Sequence, residues 1–193
     1  RIATGEKLAG GVGADRRLVV VGTEKGQVMA FDAESGKPRW TARVSSEVLA
    51  APVVGENLVA VRSVDARIVG LDVADGKRRW AYQRVTPALT LRSNVGMLMV
   101  DNMVLAGFPG GKLVAINGKN GAATWEATVA VPKGATELER VADITSLPVA
   151  DEREVCAAAY QGRVACFELS TGTQVWARDI SSSAGLDMDK TRV

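Results

Sequence analysis

The sequence predicts an all-β chain made of four-stranded antiparallel blades of a β-propeller, and three observations predict it. Four segments repeat: Gly26–Trp40 (GQVMAFDAESGKPRW), Ala66–Trp80 (ARIVGLDVADGKRRW), Gly111–Trp125 (GKLVAINGKNGAATW) and Gly162–Trp176 (GRVACFELSTGTQVW). Each ends in a polar–glycine pair with a tryptophan four residues after the glycine. The repeat also extends upstream without gaps, because Val12, Pro52, Met97 and Pro148 each lie 28 residues before their tryptophan. Tryptophan spacings of 40, 45 and 51 residues, with four strands in each unit, are the pattern of propeller blades.

The elements of a unit follow in order. Strand A begins near Val12, Pro52, Met97 or Pro148. Strand B is a short apolar run: Leu18–Val21, Leu58–Val61, Met103–Ala106 and Val155–Ala159. Runs such as VVVG and CAAAY are apolar on both faces, as a blade covered on both sides requires. Strand C opens the repeated segment and alternates apolar and polar residues, a period-2 signal. The pairs Ser35-Gly36, Asp75-Gly76, Asn120-Gly121 and Thr171-Gly172 predict tight hairpin turns into strand D, since glycine tolerates positive φ. Trp40, Trp80, Trp125 and Trp176 on strand D are read as structural plugs between neighbouring blades. The blades run over about 8–44, 45–87, 88–130 and 143–180. Residues 183–193 resemble the start of a further blade.

Composition narrows the function classes. The 193 residues are 47% hydrophobic and 24% charged, with a net charge of +2. The two signs are mixed along the chain, so there is no electrostatic footprint for nucleic acid. No apolar run approaches the length of a membrane helix, and no segment reads as a signal peptide or lipid-attachment motif. Histidine is absent, which removes the commonest general acid–base and metal ligand. The glycines at 10–13 and 110–111 read as turns, because neither set has phosphate-loop spacing. Cys156 and Cys166 lie on strands B and C of one blade, across the turn near Gln161-Gly162. The alternatives for them are a disulfide and two buried free thiols.

Function is sought where the units differ. The connections from each tryptophan to the next strand A, 41–51, 81–96 and 126–147, contain 11, 16 and 22 residues. All excess length falls there, and loops on a rigid scaffold are where binding sites concentrate. Thr86–Ser93 reads TPALTLRS. Leu89 and Leu91 with Arg92 are either a protein-binding anchor or the start of strand A facing the core. Pro132–Asp143 reads PKGATELERVAD, which predicts a helical turn capped by Thr136, or a solvated charged loop.

At these residues the chain resembles a known family. The tryptophan-ended repeats resemble quinoprotein-type propellers. The stretch LTLR at Leu89–Arg92, the run GATELERVAD at Gly134–Asp143 and the following Pro148 resemble the BamB family of lipoproteins, subunits of the bacterial outer-membrane β-barrel assembly machinery. The resemblance covers essentially the whole chain. It implies an eight-bladed ring, of which about four blades are present here. It further implies a non-enzymatic scaffold with no cofactor, on the periplasmic side of the outer membrane. The membrane tether would be an N-terminal lipid anchor outside this chain. The implied partner is the periplasmic POTRA region of BamA, the barrel-inserting subunit, with unfolded outer-membrane proteins as clients. The implied contact residues are Leu89, Leu91, Arg92 and Asp143, with Arg140 in the same run. A second acidic position of the family falls on Thr145, which removes that charge.

Two other readings stand beside it. One is a propeller binding module of another system. The other is a fragment of a quinoprotein dehydrogenase, which would carry an adjacent cysteine pair and clustered acidic calcium ligands. Cys156 and Cys166 are ten residues apart, and Asp187 with Asp189 is too small an acidic set.

Overall fold

The computed structural model describes residues 3–85, 95–136, 138–180, 182, 185–189 and 193. The described residues form strands without a helix, in four antiparallel four-stranded sheets, each in sequential order. The first sheet holds β1 (Gly13–Ala14), β2 (Leu18–Gly22), β3 (Gln27–Asp32) and β4 (Pro38–Arg43). The second holds β5 (Val53–Val54), β6 (Leu58–Arg62), β7 (Arg67–Asp72) and β8 (Arg78–Gln83). The third holds β9 (Met97–Val100), β10 (Met103–Phe108), β11 (Lys112–Asn117) and β12 (Ala123–Thr128). The fourth holds β13 (Val149–Ala150), β14 (Glu154–Ala158), β15 (Val164–Glu168) and β16 (Gln174–Arg178).

Burial follows strand position. The middle strands β3, β7 and β11 are buried along four consecutive residues, so both faces are covered. The outer strands β4 and β8 bury only their tryptophan fully and expose charged neighbours. Arginines such as Arg43 and Arg78 there keep the free edge from recruiting another strand.

The turn between the third and fourth strands is built alike in every sheet. In the first, the Asp32 amide donates to the Lys37 carbonyl (2.9 Å) and the Gly36 amide to the Asp32 carbonyl (2.9 Å). Gly36, Gly76, Gly121 and Gly172 take φ of 68°, 71°, 74° and 71°, which a residue with a Cβ enters at a cost. A register shift precedes each turn, for instance between Ala30 and Phe31. The residue that opens this turn, Asp32, Asp72, Asn117 or Glu168, is acidic in three of the four sheets. Asp72 accepts the Ala74 amide (2.8 Å) and the Arg79 guanidinium (2.6 Å), which together hold its carboxyl below the usual range.

The chain divides into two compact units, Arg1–Arg84 with Gly118–Gly121, and Val85–Asn117 with Ala122–Val193. The core of the first gathers Val20, Val28, Val59, Val61 and Leu71 around Trp40. The core of the second gathers Leu105, Leu113, Ile144, Val155 and Phe167 around Trp125.

Each of three tryptophans makes one specific joint. Trp40 Nε1 donates to the Val73 carbonyl (2.8 Å), Trp80 to Gly118 (2.8 Å) and Trp125 to Leu169 (2.9 Å). Their rings lie on turn glycines. A Cβ built on Gly76 would meet Trp40 Cε3 at 2.5 Å, one on Gly121 would meet Trp80 Cδ2 at 2.8 Å, and one on Gly172 would meet Trp125 Cδ2 at 2.7 Å. The glycine therefore serves twice, once for the positive φ and once for the bare surface under an indole.

Candidate partner-binding loop

The longest connection, residues 126–147, lies within the second unit and is almost wholly described. Its sequence leaves the sheet apolar, turns polar, and returns apolar. Val129 and Ala130 are buried, as are Val141, Ala142, Asp143 and Ile144, while the residues described between them are exposed. Both ends are therefore held by burial, and the middle projects.

The turn at Gly110-Gly111, between β10 and β11, holds both ends. The Val129 amide donates to the Gly111 carbonyl (2.8 Å). A Cβ on Gly111 would meet the Ala130 carbonyl oxygen at 2.2 Å and that of Ala142 at 3.0 Å. At the returning end, the Gly110 amide donates to Asp143 Oδ1 (3.0 Å), and the Asp143 carbonyl accepts the Tyr160 amide (2.9 Å). Ile144 then pairs with Ala159 across an isolated bridge and fills the space beside Gly107. The glycine pair is thus more than a turn. The signal available in the sequence was the doubling itself, since Lys25-Gly26 and Gln161-Gly162 carry only one glycine at this place.

The projecting segment is a capped helical turn. The Ala135 and Thr136 amides donate to Glu139 Oε2 (2.7 and 3.0 Å), and the Glu139 amide donates back to Thr136 Oγ1 (3.3 Å). This is the reciprocal capping box of a T-x-x-E sequence. The Thr136 and Ala135 amides hold the Glu139 carboxyl below its ordinary value. Arg140 Nε donates to the Gly134 carbonyl (3.0 Å), tying the turn to the loop segment that enters it. The ordered turn exposes Leu138 (72%), with Val131 (64%) in the same projecting segment, so apolar surface is offered on a fixed backbone.

The structure places the expected contact residues differently. Arg140 is exposed on the loop. Asp143 is only 3% exposed, and its carboxylate is engaged with the Gly110 amide, so its place is at the root of the loop. Thr145 turns towards the C-terminal segment, where its hydroxyl donates to the Ser182 carbonyl (3.3 Å). Leu89, Leu91 and Arg92 lie outside the described residues. Leu138 and Val131 were not singled out in the sequence, because an apolar residue within a charged run carries no periodic signal.

Cys156 and Cys166 are directly opposed partners on β14 and β15, with Cα atoms 4.1 Å apart, and their sulfurs are bonded. Glu154 lies near both sulfurs. Thiolates are unavailable from a disulfide, so the group offers no metal site.

Comparison with known proteins decides the family. The profile described as "Outer membrane protein assembly factor BamB" matches residues 1–193. The chain belongs to this family. A BamB of Nitrosomonas eutropha is 52% identical over 193 residues, which is all of this chain and 47% of the relative's length. The chain thus spans about half the length of the curated relatives it matches. The crystal structure of BamB from Moraxella catarrhalis superposes with a TM-score of 0.87 at 30% identity, covering 94% of this chain and 56% of that one. A quinohemoprotein alcohol dehydrogenase from Comamonas testosteroni superposes at 0.70 with 14% identity, covering 93% of this chain and 38% of that one, a likeness of fold alone. The BamB relatives carry the name of an assembly factor, not of an enzyme.

Proposed function

We propose that this chain is part of a non-enzymatic scaffold of the outer-membrane protein assembly complex. In this reading it docks the periplasmic POTRA region of BamA and helps deliver unfolded outer-membrane barrel proteins. The observation that carries the reading is the match of the assembly-factor family over all 193 residues. The loop geometry supports it. A capped turn pinned at Gly110-Gly111 loses little conformational freedom on binding, which is what a docking loop needs. Leu89 and Leu91 would fill a shallow apolar groove, Arg92 would pair with a partner carboxylate, and Arg140 would add a further charged contact. Asp143 would act from the root, keeping the loop in register. The protein would work on the periplasmic side of the outer membrane, held by a lipid anchor of the longer polypeptide.

The test is calorimetric titration of the POTRA region of BamA. Truncating buried anchors of this kind costs about 2 kcal/mol or more. Leu89→Ala combined with Arg92→Ala should therefore weaken binding at least ~30-fold without lowering the melting temperature. Equal binding by variant and parent would refute the assignment of these residues.

A further inference from the structure

The fourth sheet fills one core position differently from the other three. Where the second and third strands meet in mid-strand, the opposed pairs are Val20 with Ala30, Ala60 with Gly70 and Leu105 with Ala115. All six residues are apolar and buried. In the fourth sheet the pair is Cys156 with Cys166, and both are 0% exposed. They lie on the two inner strands, with Val149 of β13 opposite Cys156 and Trp176 of β16 opposite Cys166. A buried thiol packs as a small apolar group. The pair therefore suits this position with or without its bond, as the alanines and the glycine of the other sheets do.

We infer that the Cys156–Cys166 bond is installed on the open β14–β15 hairpin by a disulfide-bearing thiol oxidase, and that its redox state is locked once the sheet is packed. Exchange runs through a mixed disulfide. One cysteine thiolate attacks the oxidant's disulfide, bonds to one of its sulfurs and releases the other as a thiol. The second cysteine thiolate then attacks the first cysteine's sulfur, closes Cys156–Cys166 and releases the oxidant's remaining thiol. The cysteines lose two electrons and two protons, and the oxidant leaves as a dithiol carrying both. The intermediate thus holds a whole protein on a cysteine sulfur, and in the folded chain neither cysteine exposes any surface to receive it. The attacking thiolate is disfavoured there as well. Its surroundings are apolar, and a Glu154 carboxylate oxygen lies within 4.8 Å of both sulfurs. On the open hairpin both obstacles are gone. The cysteines are 10 residues apart, and a loop of that size closes in roughly 10–100 ns, so the second attack needs none of the remaining fold.

The experiment follows the bond in the 193-residue chain with two small probes, dithiothreitol as reductant and glutathione disulfide as oxidant, at constant pH. Samples are quenched with a maleimide and weighed by mass spectrometry. The native, bonded protein in dithiothreitol is expected to lose its bond at least ~100-fold more slowly in buffer than in unfolding urea, because exchange must wait for the sheet to open. Protein already reduced in urea is then divided. One half receives glutathione disulfide in urea and should form the bond. The other half is first diluted into buffer to refold, and should keep two thiols that neither oxidise nor take maleimide until urea is returned. Reduction in buffer as fast as in urea overturns the inference, and so does oxidation of the refolded thiols at the unfolded rate. A reduced chain that stays unfolded leaves the first arm to decide, since that arm starts from the native protein.

Discussion

Gly172→Ala is predicted to destabilise the second unit by about 2–5 kcal/mol, and the reason can be separated into two parts. Gly172 sits at φ 71°, where adding a Cβ costs about 1–2 kcal/mol. The added Cβ would also lie 2.7 Å from Trp125 Cδ2, inside contact distance of a ring that is 9% exposed and bonded to the Leu169 carbonyl. Overpacking of that kind costs about 1–3 kcal/mol more. Trp125→Ala removes the ring and is predicted to cost about 3–5 kcal/mol by itself. In the double variant the backbone strain remains but the clash is gone. The two changes should therefore fall short of additivity by about 1–3 kcal/mol. The assay is urea unfolding followed by far-ultraviolet circular dichroism, which does not depend on the missing indole. Additive effects, within about 0.5 kcal/mol, would refute the claim that the indole rests on this glycine.

Three further outcomes follow from the described geometry. Asp143→Ala leaves the Gly110 amide without its acceptor and should cost about 1–3 kcal/mol in urea unfolding, whereas Asp143→Asn keeps an acceptor oxygen and should cost less. The Glu139 carboxyl lies below its unfolded value, so its hold on the Ala135 and Thr136 amides is present above the ordinary carboxylate pKa and lost as pH falls through the lower folded value. Hydrogen exchange at those two amides should quicken over that acidic range, relative to the intrinsic rate, and in Glu139→Gln it should lose this pH dependence. Thiol titration in denaturant without reductant should find no free thiol at Cys156 or Cys166, and reduction should destabilise the second unit by about 2–3 kcal/mol. Two titratable thiols would contradict the bonded pair.

Much of the loop was readable because capping is local. Thr136 and Glu139 are three residues apart, and their side chains can satisfy only nearby amides. The anchoring of that loop was not readable. Gly110 and Asp143 are 33 residues apart, and no periodicity links them. Asp143 therefore reads in sequence as one more charge in a polar run, while the fold buries it at the loop's root. Leu138 shows the opposite error, an apolar residue that the fold leaves outside.

The sequence by itself determined the strands, their four-fold grouping and the turns between them. Alternation, positive-φ glycines and a tryptophan at constant spacing are short-range signals, and short-range sterics act the same way in every unit. Only the tertiary structure decided what each tryptophan touches. The indoles reach carbonyls 33, 38 and 44 residues away, at distances set by how sheets stack and not by any single sheet. It likewise decided that Cys156 and Cys166 face each other, because a register slipped by one residue would have turned one of them to the opposite face.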